Sequence, residues 1–329
     1  VNQLAEEIRK FIEEALPSPE AEPRPELAQY AELLRDYPSR GGKMLRGRLV
    51  ILTARAYGDD SAALPVAAAL ELFQNWVLIH DDIEDDSEER RGRPALHRLY
   101  PPSLALNAGD ALHAAMWRVL VEAGARRKVM AEFAQLIEVT ASGQHLDLAW
   151  VAGGRFDLTP DDYLEMAERK AAYYTGVAPL RLGALAAGRL PHPAFATAGL
   201  ELGVAFQIID DVLNLEGDPG AYGKEIAGDL WEGKRTLILI DYLGSAPAPE
   251  RARAEEILRK PRAAKEADEV AWLHERILES GAVARARELA GRKAAGALAE
   301  LEEAFATLPD RQAAAEALDL LRKLVERQS

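Results

Sequence analysis

Following the apolar run Leu78-Ile79-His80, the chain reads Asp81-Asp82-Ile83-Glu84-Asp85-Asp86-Ser87-Glu88-Glu89-Arg90-Arg91-Gly92-Arg93-Pro94. On a helix, side chains four apart share a face, so Asp81 and Asp85 point the same way about one turn apart. Their carboxylates, crowded by Asp82, Glu84 and Asp86, repel one another unless a cation lies between them. Hard oxygen donors of this kind suit Mg²⁺, which keeps several waters and takes substrate phosphate oxygens as its other ligands. Arg90 and Arg91 add planar forks that match phosphate geometry. The stretch specifies a divalent metal and a phosphate.

A second stretch, Ala205-Phe206-Gln207-Ile208-Ile209-Asp210-Asp211-Val212-Leu213-Asn214, repeats the form 129 residues further on. An apolar helical run again ends in two adjacent aspartates, with a metal-competent side chain four residues after the first. Acids placed directly after an apolar run are costly to bury without a partner. A lone acidic pair is often a solvated helix surface, but two built alike are not readily accidental. If their helices face each other in a bundle, the carboxylates line opposite walls of one cavity that admits a Mg²⁺-bridged diphosphate. Gly41-Gly42-Lys43 with Arg46 forms a glycine-bearing turn able to bring backbone amides to phosphate. Lys170, Lys224 and Lys234 flank the acidic motifs in a chain that is otherwise strongly acidic.

The elements that must position these groups read as helices. Alanine, leucine, glutamate and arginine dominate, and apolar residues recur at three- and four-residue spacing, as in Leu4, Ile8, Phe11, Ile12 and Ala15. Breaks at Pro17–Pro25 precede a second helix to about Tyr37. Further helices are expected at about 44–57, 62–89, 103–123, 127–152, 160–188, 194–216 and 234–244, with 217–233 a loop and shorter helices beyond Pro247. Thr159-Pro160-Asp161-Asp162 is a helix start, and Gly92 with Pro94 is expected to end the helix that carries Asp81. No strand-like alternation, Gly-x-Gly-x-x-Gly fingerprint or fixed-period repeat is present. The expected architecture is all-α: a single-domain, many-helix bundle over residues 1–329, with a catalytic core at about 40–245 and peripheral helices at about 250–329.

Bulk properties narrow the partners. At 329 residues the chain can bury a sizeable core, and a formal net charge of −14 argues against nucleic acid or an anionic membrane surface. The absence of cysteine excludes disulfides and thiolate chemistry and accords with a reducing cytoplasm. The polar, acidic N-terminal residues do not resemble a signal peptide, and no run of eighteen uncharged apolar residues suggests a membrane span.

These motifs resemble those of the trans-isoprenyl diphosphate synthases, the polyprenyl synthetase family, over about residues 40–245. The resemblance requires both aspartate motifs, the Arg90-Arg91-Gly92 sequel, Gly41-Gly42-Lys43-Met44-Leu45-Arg46, Gly143-Gln144-His145-Leu146-Asp147-Leu148 and Glu232-Gly233-Lys234-Arg235 in that family's order. It implies that Asp81 and Asp85 hold two Mg²⁺ ions and Asp210 a third, supported by Asp211, on the diphosphate of an allylic substrate. Arg90, Lys170, Lys224 and Lys234 would grip that diphosphate, and Gly42, Lys43, Arg46, Gln74 and Arg91 that of isopentenyl diphosphate. Gln207 would lie beside the reacting allylic end. The family reaction is ionisation to an allylic cation, attack by isopentenyl diphosphate and proton loss, in a homodimer that the apolar helix faces permit. The allylic primer would be dimethylallyl, geranyl or farnesyl diphosphate.

Three positions depart from the common family pattern: Gln74 stands where many relatives have histidine, Ala171 follows Lys170 in place of threonine, and Asn214 replaces the last aspartate of the second motif. None alters the reaction class that the resemblance implies. Trp76 and Val77, five and four residues before Asp81, occupy positions that in the family help to set product length. An aromatic there with a smaller neighbour resembles geranylgeranyl-forming enzymes, with farnesyl and longer products as alternatives. A terpene cyclase is a poorer match, since Asn214 and Asp218 do not supply its usual second motif and it needs no Gly42-Lys43…Arg46 site. A non-catalytic partner subunit would be expected to lose an aspartate motif, and both are kept.

Overall fold

A computed structural model describes residues 2–217 and 225–326, so Lys224 and Asp218 lie outside the described residues. The chain runs α1 (Asn2–Ala15), α2 (Pro25–Ser39), α3 (Leu45–Ala56) and α4 (Ala63–Glu84), then a two-stranded hairpin, β1 (Glu89–Arg90) with β2 (Arg93–Pro94). It continues through α5 (Leu96–Leu99), α6 (Pro102–Glu122), α7 (Arg127–Ala152), α8 (Pro160–Ala167), α9 (Ala178–Ala186) and α10 (Ala194–Glu216). The remainder is α11 (Gly228–Glu232), α12 (Leu237–Ser245), α13 (Ala248–Arg259), α14 (Ala267–Glu279), α15 (Ala282–Phe305) and α16 (Arg311–Val325). The fold is all-α, and among the described residues the hairpin is the only sheet.

Two compact units interleave along the sequence. The first comprises the chain to Gln135, Ala178–Ala196 and Leu301–Leu321; the second comprises Leu136–Val177, Thr197–Glu300 and the chain from Arg322. Each unit takes part of the helices beyond residue 250.

In the first unit α4 packs along α6 and α3, and α3 along α9. By length and composition α4 could cross a membrane, but most of that window is buried inside the protein, as expected of a core helix. Ile8 and Ile12, one turn apart on α1, are fully buried. Ile8 reaches α3 at Gly47, where a Cβ would lie 3.0 Å from its Cδ1.

The helix carrying Asp81 ends at Glu84, five residues short of expectation. Asp86 adopts the left-handed conformation (φ 54°), the Ser87 amide donates to the Asp82 carbonyl at 3.0 Å, and the Asp86 amide donates to the Ile83 carbonyl at 3.4 Å. This is a Schellman stop, a role that glycine usually fills. Gly92 and Pro94, expected to stop the helix, instead shape the hairpin. Arg91 and Gly92 form its two-residue turn with φ of 55° and 70°, as the right-handed twist of a tight hairpin favours.

In the second unit Thr159 starts α8 as expected. Its Oγ1 accepts from the Asp162 amide at 3.3 Å, and Asp162 Oδ2 accepts from the Thr159 amide at 2.7 Å, a reciprocal cap with Pro160 at the first helical position. The uninterrupted helix expected at 160–188 opens into π winding over Glu168–Val177 before α9. Such wide turns are uncommon and concentrate at functional sites. Glycines crowd this segment: a Cβ on Gly203 would fall 2.5 Å from Ala172 Cα, and one on Gly176 would fall 2.0 Å from the Gly199 carbonyl oxygen. The backbones meet with no space for a side chain between them.

Candidate active site

In the first unit, the end of α4 presents Asp81 and the helix-capping Asp85, both half-buried. Asp82 between them is fully buried and turned inward. It accepts a hydrogen bond from the Tyr37 hydroxyl and a fork from Arg90, whose Nε lies 2.9 Å and 3.0 Å from its two oxygens. Arg90 Nη2 also bonds Asp82 and reaches Asp81 Oδ2 at 3.2 Å. Burial opposes charge on this guanidinium, but Asp82 and then Asp81 outweigh it and hold its pKa well above the usual value. Burial, reinforced by Asp82, likewise raises the Tyr37 phenol, which stays protonated and donates.

Arg91 faces a different group of residues. Its Nη1 donates to the carbonyls of Tyr37 and Gly41, at 2.9 Å each, and its guanidinium carbon lies 3.6 Å from where a Gly42 Cβ would stand. These bonds offset the strain of a non-glycine residue at positive φ. The turn is itself left-handed at Gly41 (φ 85°), Gly42 (φ 119°) and Met44 (φ 45°), so α3 begins from an unusual backbone that leaves Lys43 exposed and Arg46 buried. Glu71, buried on α4, accepts from the Gly47 amide at 2.8 Å. Burial raises its carboxyl pKa, and the Gly47 amide, Arg46 and Arg91 pull it back in part. Arg46 and Arg91 thus act on one buried carboxylate, and Gly42 lies against the Arg91 guanidinium. Gln74 is half-buried on α4, two turns before Asp81.

In the second unit, α10 presents Asp210 half-buried and Asp211 buried. Asp211 Oδ2 accepts from the Tyr163 hydroxyl at 2.7 Å and Oδ1 from Gln207 Nε2 at 2.8 Å. Burial pushes the Asp211 carboxyl up to about 7, against the opposing pull of those two hydrogen bonds. Asp211 was expected to support Asp210 at the metal, and Gln207 to lie beside the reacting allylic end. Here the two are bonded to each other, and both Asp211 oxygens are taken by protein donors.

Asn214 is a clasp in this structure. Its Oδ1 accepts from the Asp229 amide at 3.2 Å and its carbonyl from the Ala227 amide at 2.7 Å, tying α11 to α10. An amide oxygen accepts here as a carboxylate oxygen would, so this contact tolerates the departure at this position. Lys170, in the π segment, pairs with Asp147, and Lys234 pairs with Glu232 at 3.0 Å. Lys234 also acts electrostatically on Asp211, so Gln207, Asp210, Asp211 and Lys234 form one neighbourhood. Among the described residues no three carboxylates or histidines converge as a preformed metal cage.

Trp76 lies on α4 in an aromatic stack with α6. It is face to face with His113 (centroids 4.0 Å apart, planes 14° apart) and edge-on to Phe73 and His80. His113 accepts a hydrogen bond from Trp117 Nε1 at 2.9 Å. Val77 beside it is half-buried.

Tyr37, Glu71 and Tyr163 were not singled out from the sequence, and Asp147 stood there only within a motif, without a role of its own. Glu71 had a signal, as the one charged residue between Ala62 and His80. Neither tyrosine had one, because each meets its aspartate more than forty positions away.

A sequence model of the polyprenyl synthetase family matches residues 28–277. The short chain isoprenyl diphosphate synthase of Methanothermobacter thermautotrophicus is 37% identical over 224 residues, covering 66% of this chain and 68% of that one. The geranylfarnesyl diphosphate synthase of Aeropyrum pernix is 37% identical over 215 residues, covering 61% and 66%. Among solved structures, the geranylgeranyl pyrophosphate synthase from Corynebacterium glutamicum, complexed with isoprenyl diphosphate and magnesium, matches with a TM-score of 0.86 at 27% identity, covering 99% of each chain.

Proposed function

This chain belongs to the polyprenyl synthetase family and is a trans-prenyl diphosphate synthase, and from that premise we propose that it condenses isopentenyl diphosphate with an allylic diphosphate head to tail, using Mg²⁺. The observation that carries the reading is the end of α4, where Asp81 and Asp85 stand one turn apart with the Arg90 fork held across Asp81 and Asp82.

The donor set fits Mg²⁺. Asp81 and Asp85 at the end of α4, and Asp210 on α10, each offer hard carboxylate oxygens, the donor type of a cation that completes its shell with phosphate oxygens and water. When bound, the metal supplies positive charge to the diphosphate oxygens as the allylic carbon–oxygen bond breaks. Arg90, Lys170 and Lys234 add fixed positive charge to that leaving group, stabilising it most as its charge develops. Gly42, Lys43, Arg46, Gln74 and Arg91 hold the diphosphate of isopentenyl diphosphate, whose double bond attacks the allylic cation. The released diphosphate takes the proton. Apolar helix walls keep water from the cation. A homodimer in the cytoplasm belongs to the same reading.

The test is incubation with isopentenyl diphosphate, Mg²⁺ and, separately, dimethylallyl, geranyl and farnesyl diphosphate, with products sized by chromatography. Elongation of at least one primer is expected; no prenyl product from any of them overturns the reading.

We assign geranylgeranyl diphosphate as the main product, with Trp76 as part of the wall that stops elongation. The support is its stack on His113, which fixes the indole between α4 and α6. Trp76→Ala removes that ring and is expected to shift the products to longer chains. An unchanged distribution from a folded variant would remove Trp76 from this role.

A further inference from the structure

The acid pairs share a construction that their spacing does not reveal. In each, the first aspartate is half-buried and the second is buried. In each, the buried aspartate accepts a hydrogen bond from the hydroxyl of a tyrosine on another helix: Tyr37 of α2 for Asp82, and Tyr163 of α8 for Asp211. Both tyrosines are about as buried as a residue can be, at 1% exposure each. Each aspartate has one further side-chain donor, Arg90 for Asp82 and Gln207 for Asp211.

We infer that Tyr37–Asp82 and Tyr163–Asp211 are paired latches, positioning residues that fix the neighbouring aspartates, Asp81 and Asp210, for the metal. The inference rests on the prenyl diphosphate synthase reading and assigns the second acid of each pair a task other than ligation. A buried carboxylate needs donors, and a hydroxyl from another helix satisfies it only at one rotation of the aspartate's own helix. That rotation also sets where the preceding residue points. The same inward pull leaves the second acid unable to turn toward a cation without abandoning a buried donor.

The first latch does more. The Tyr37 hydroxyl also accepts from the Leu96 amide at 3.2 Å, and the Tyr37 carbonyl accepts from Arg91. One residue thereby anchors the end of α4 through its side chain and the Arg91 fork through its backbone. Replacing the hydroxyl disturbs the first and leaves the second.

Tyr37→Phe and Tyr163→Phe each delete one oxygen and keep the ring. Three quantities are read on the full-length protein: the Mg²⁺ concentration giving half-maximal rate, the KM for isopentenyl diphosphate, and the rise in melting temperature produced by Mg²⁺ with inorganic diphosphate. Loss of a group that orients a ligand typically weakens metal binding by about 10–100-fold. The Mg²⁺ requirement is therefore expected to rise by about that factor and the Mg²⁺–diphosphate thermal shift to shrink, while the KM for isopentenyl diphosphate stays within about twofold. A lower melting temperature with an unchanged Mg²⁺ requirement would show tyrosines that only stabilise the fold, and would overturn the proposal. Should a phenylalanine variant fail to melt cooperatively, Asp82→Asn or Asp211→Asn carries the same titration with the same two outcomes. A wild-type protein that elongates no primer fails the underlying reading and not this one, since the Mg²⁺–diphosphate thermal shift is read without turnover.

Discussion

Asp81→Ala is expected to reduce turnover by about a thousandfold or more, with a melting temperature within about 2 °C of the parent. A bound cation contributes several kcal/mol to a transition state in which charge develops on a phosphate, and each ~1.4 kcal/mol is a factor of ten. The protein itself loses little, because Asp81 is half-buried and its 3.2 Å contact is the outer edge of the Arg90 network. Arg90 keeps its fork on Asp82 when Asp81 is gone. Single-turnover rates with a preformed enzyme–allylic complex isolate the ionisation step, and thermal melts check the fold. A fall of less than tenfold would move the metal away from Asp81. Asp81→Asn, which keeps an oxygen and loses the charge, should fall between the two.

The local geometry of the candidate site was legible where it depends on residues close in sequence. Asp81 with Asp85, the adjacent acids at Asp210, the Gly41-Gly42-Lys43 turn and the Thr159 cap are all set by spacings of four residues or fewer. The all-α fold followed from the three- and four-residue recurrence of apolar side chains, which states the face of a helix and not its neighbours. What escaped was long-range. Asp82 was read only as a neighbouring acid, and Asp211 as a support for Asp210 at the metal, because nothing in the sequence announces the Tyr37 and Tyr163 hydroxyls that bond them. Asn214 looked like a weakened ligand because its actual partner, the Asp229 amide, belongs to the backbone of a segment read as loop. The end of α4 was misplaced because a left-handed stop is signalled by glycine, and here Asp86 takes that conformation. The interleaving of the two units could not be seen at all, since each is assembled from segments far apart along the chain.

The π segment shows the same limit and yields the other large effect. Gly143 was legible only as part of a motif, yet it faces the backbone that carries Lys170. A Cβ there would lie 2.1 Å from the Lys170 amide nitrogen and 2.6 Å from both the Arg169 carbonyl carbon and Lys170 Cα. No rotamer can relieve such contacts, because every atom involved is backbone. Overpacking a tight contact costs about 1–3 kcal/mol and sometimes more, so Gly143→Ala is expected to lower the melting temperature by roughly 3–10 °C, taking about 2–4 °C per kcal/mol. The displaced backbone takes Lys170 away from Asp147, and with it the charge proposed to meet the allylic diphosphate. Catalytic efficiency toward the allylic substrate should therefore fall at least tenfold, while the KM for isopentenyl diphosphate, whose proposed ligands lie in the other unit, changes little. Gly291→Ala is the matched control: it too lies inside a helix, but its Cβ would meet nothing within 4 Å. There the gain of a better helix former should raise stability by about 0.5–1 kcal/mol. If the two alanines behaved alike, the close approach at Gly143 would not be the constraint that places Lys170. Opposite signs in the melts, with only Gly143→Ala altering allylic kinetics, tie the lysine's position to a missing methyl group on the helix beside it.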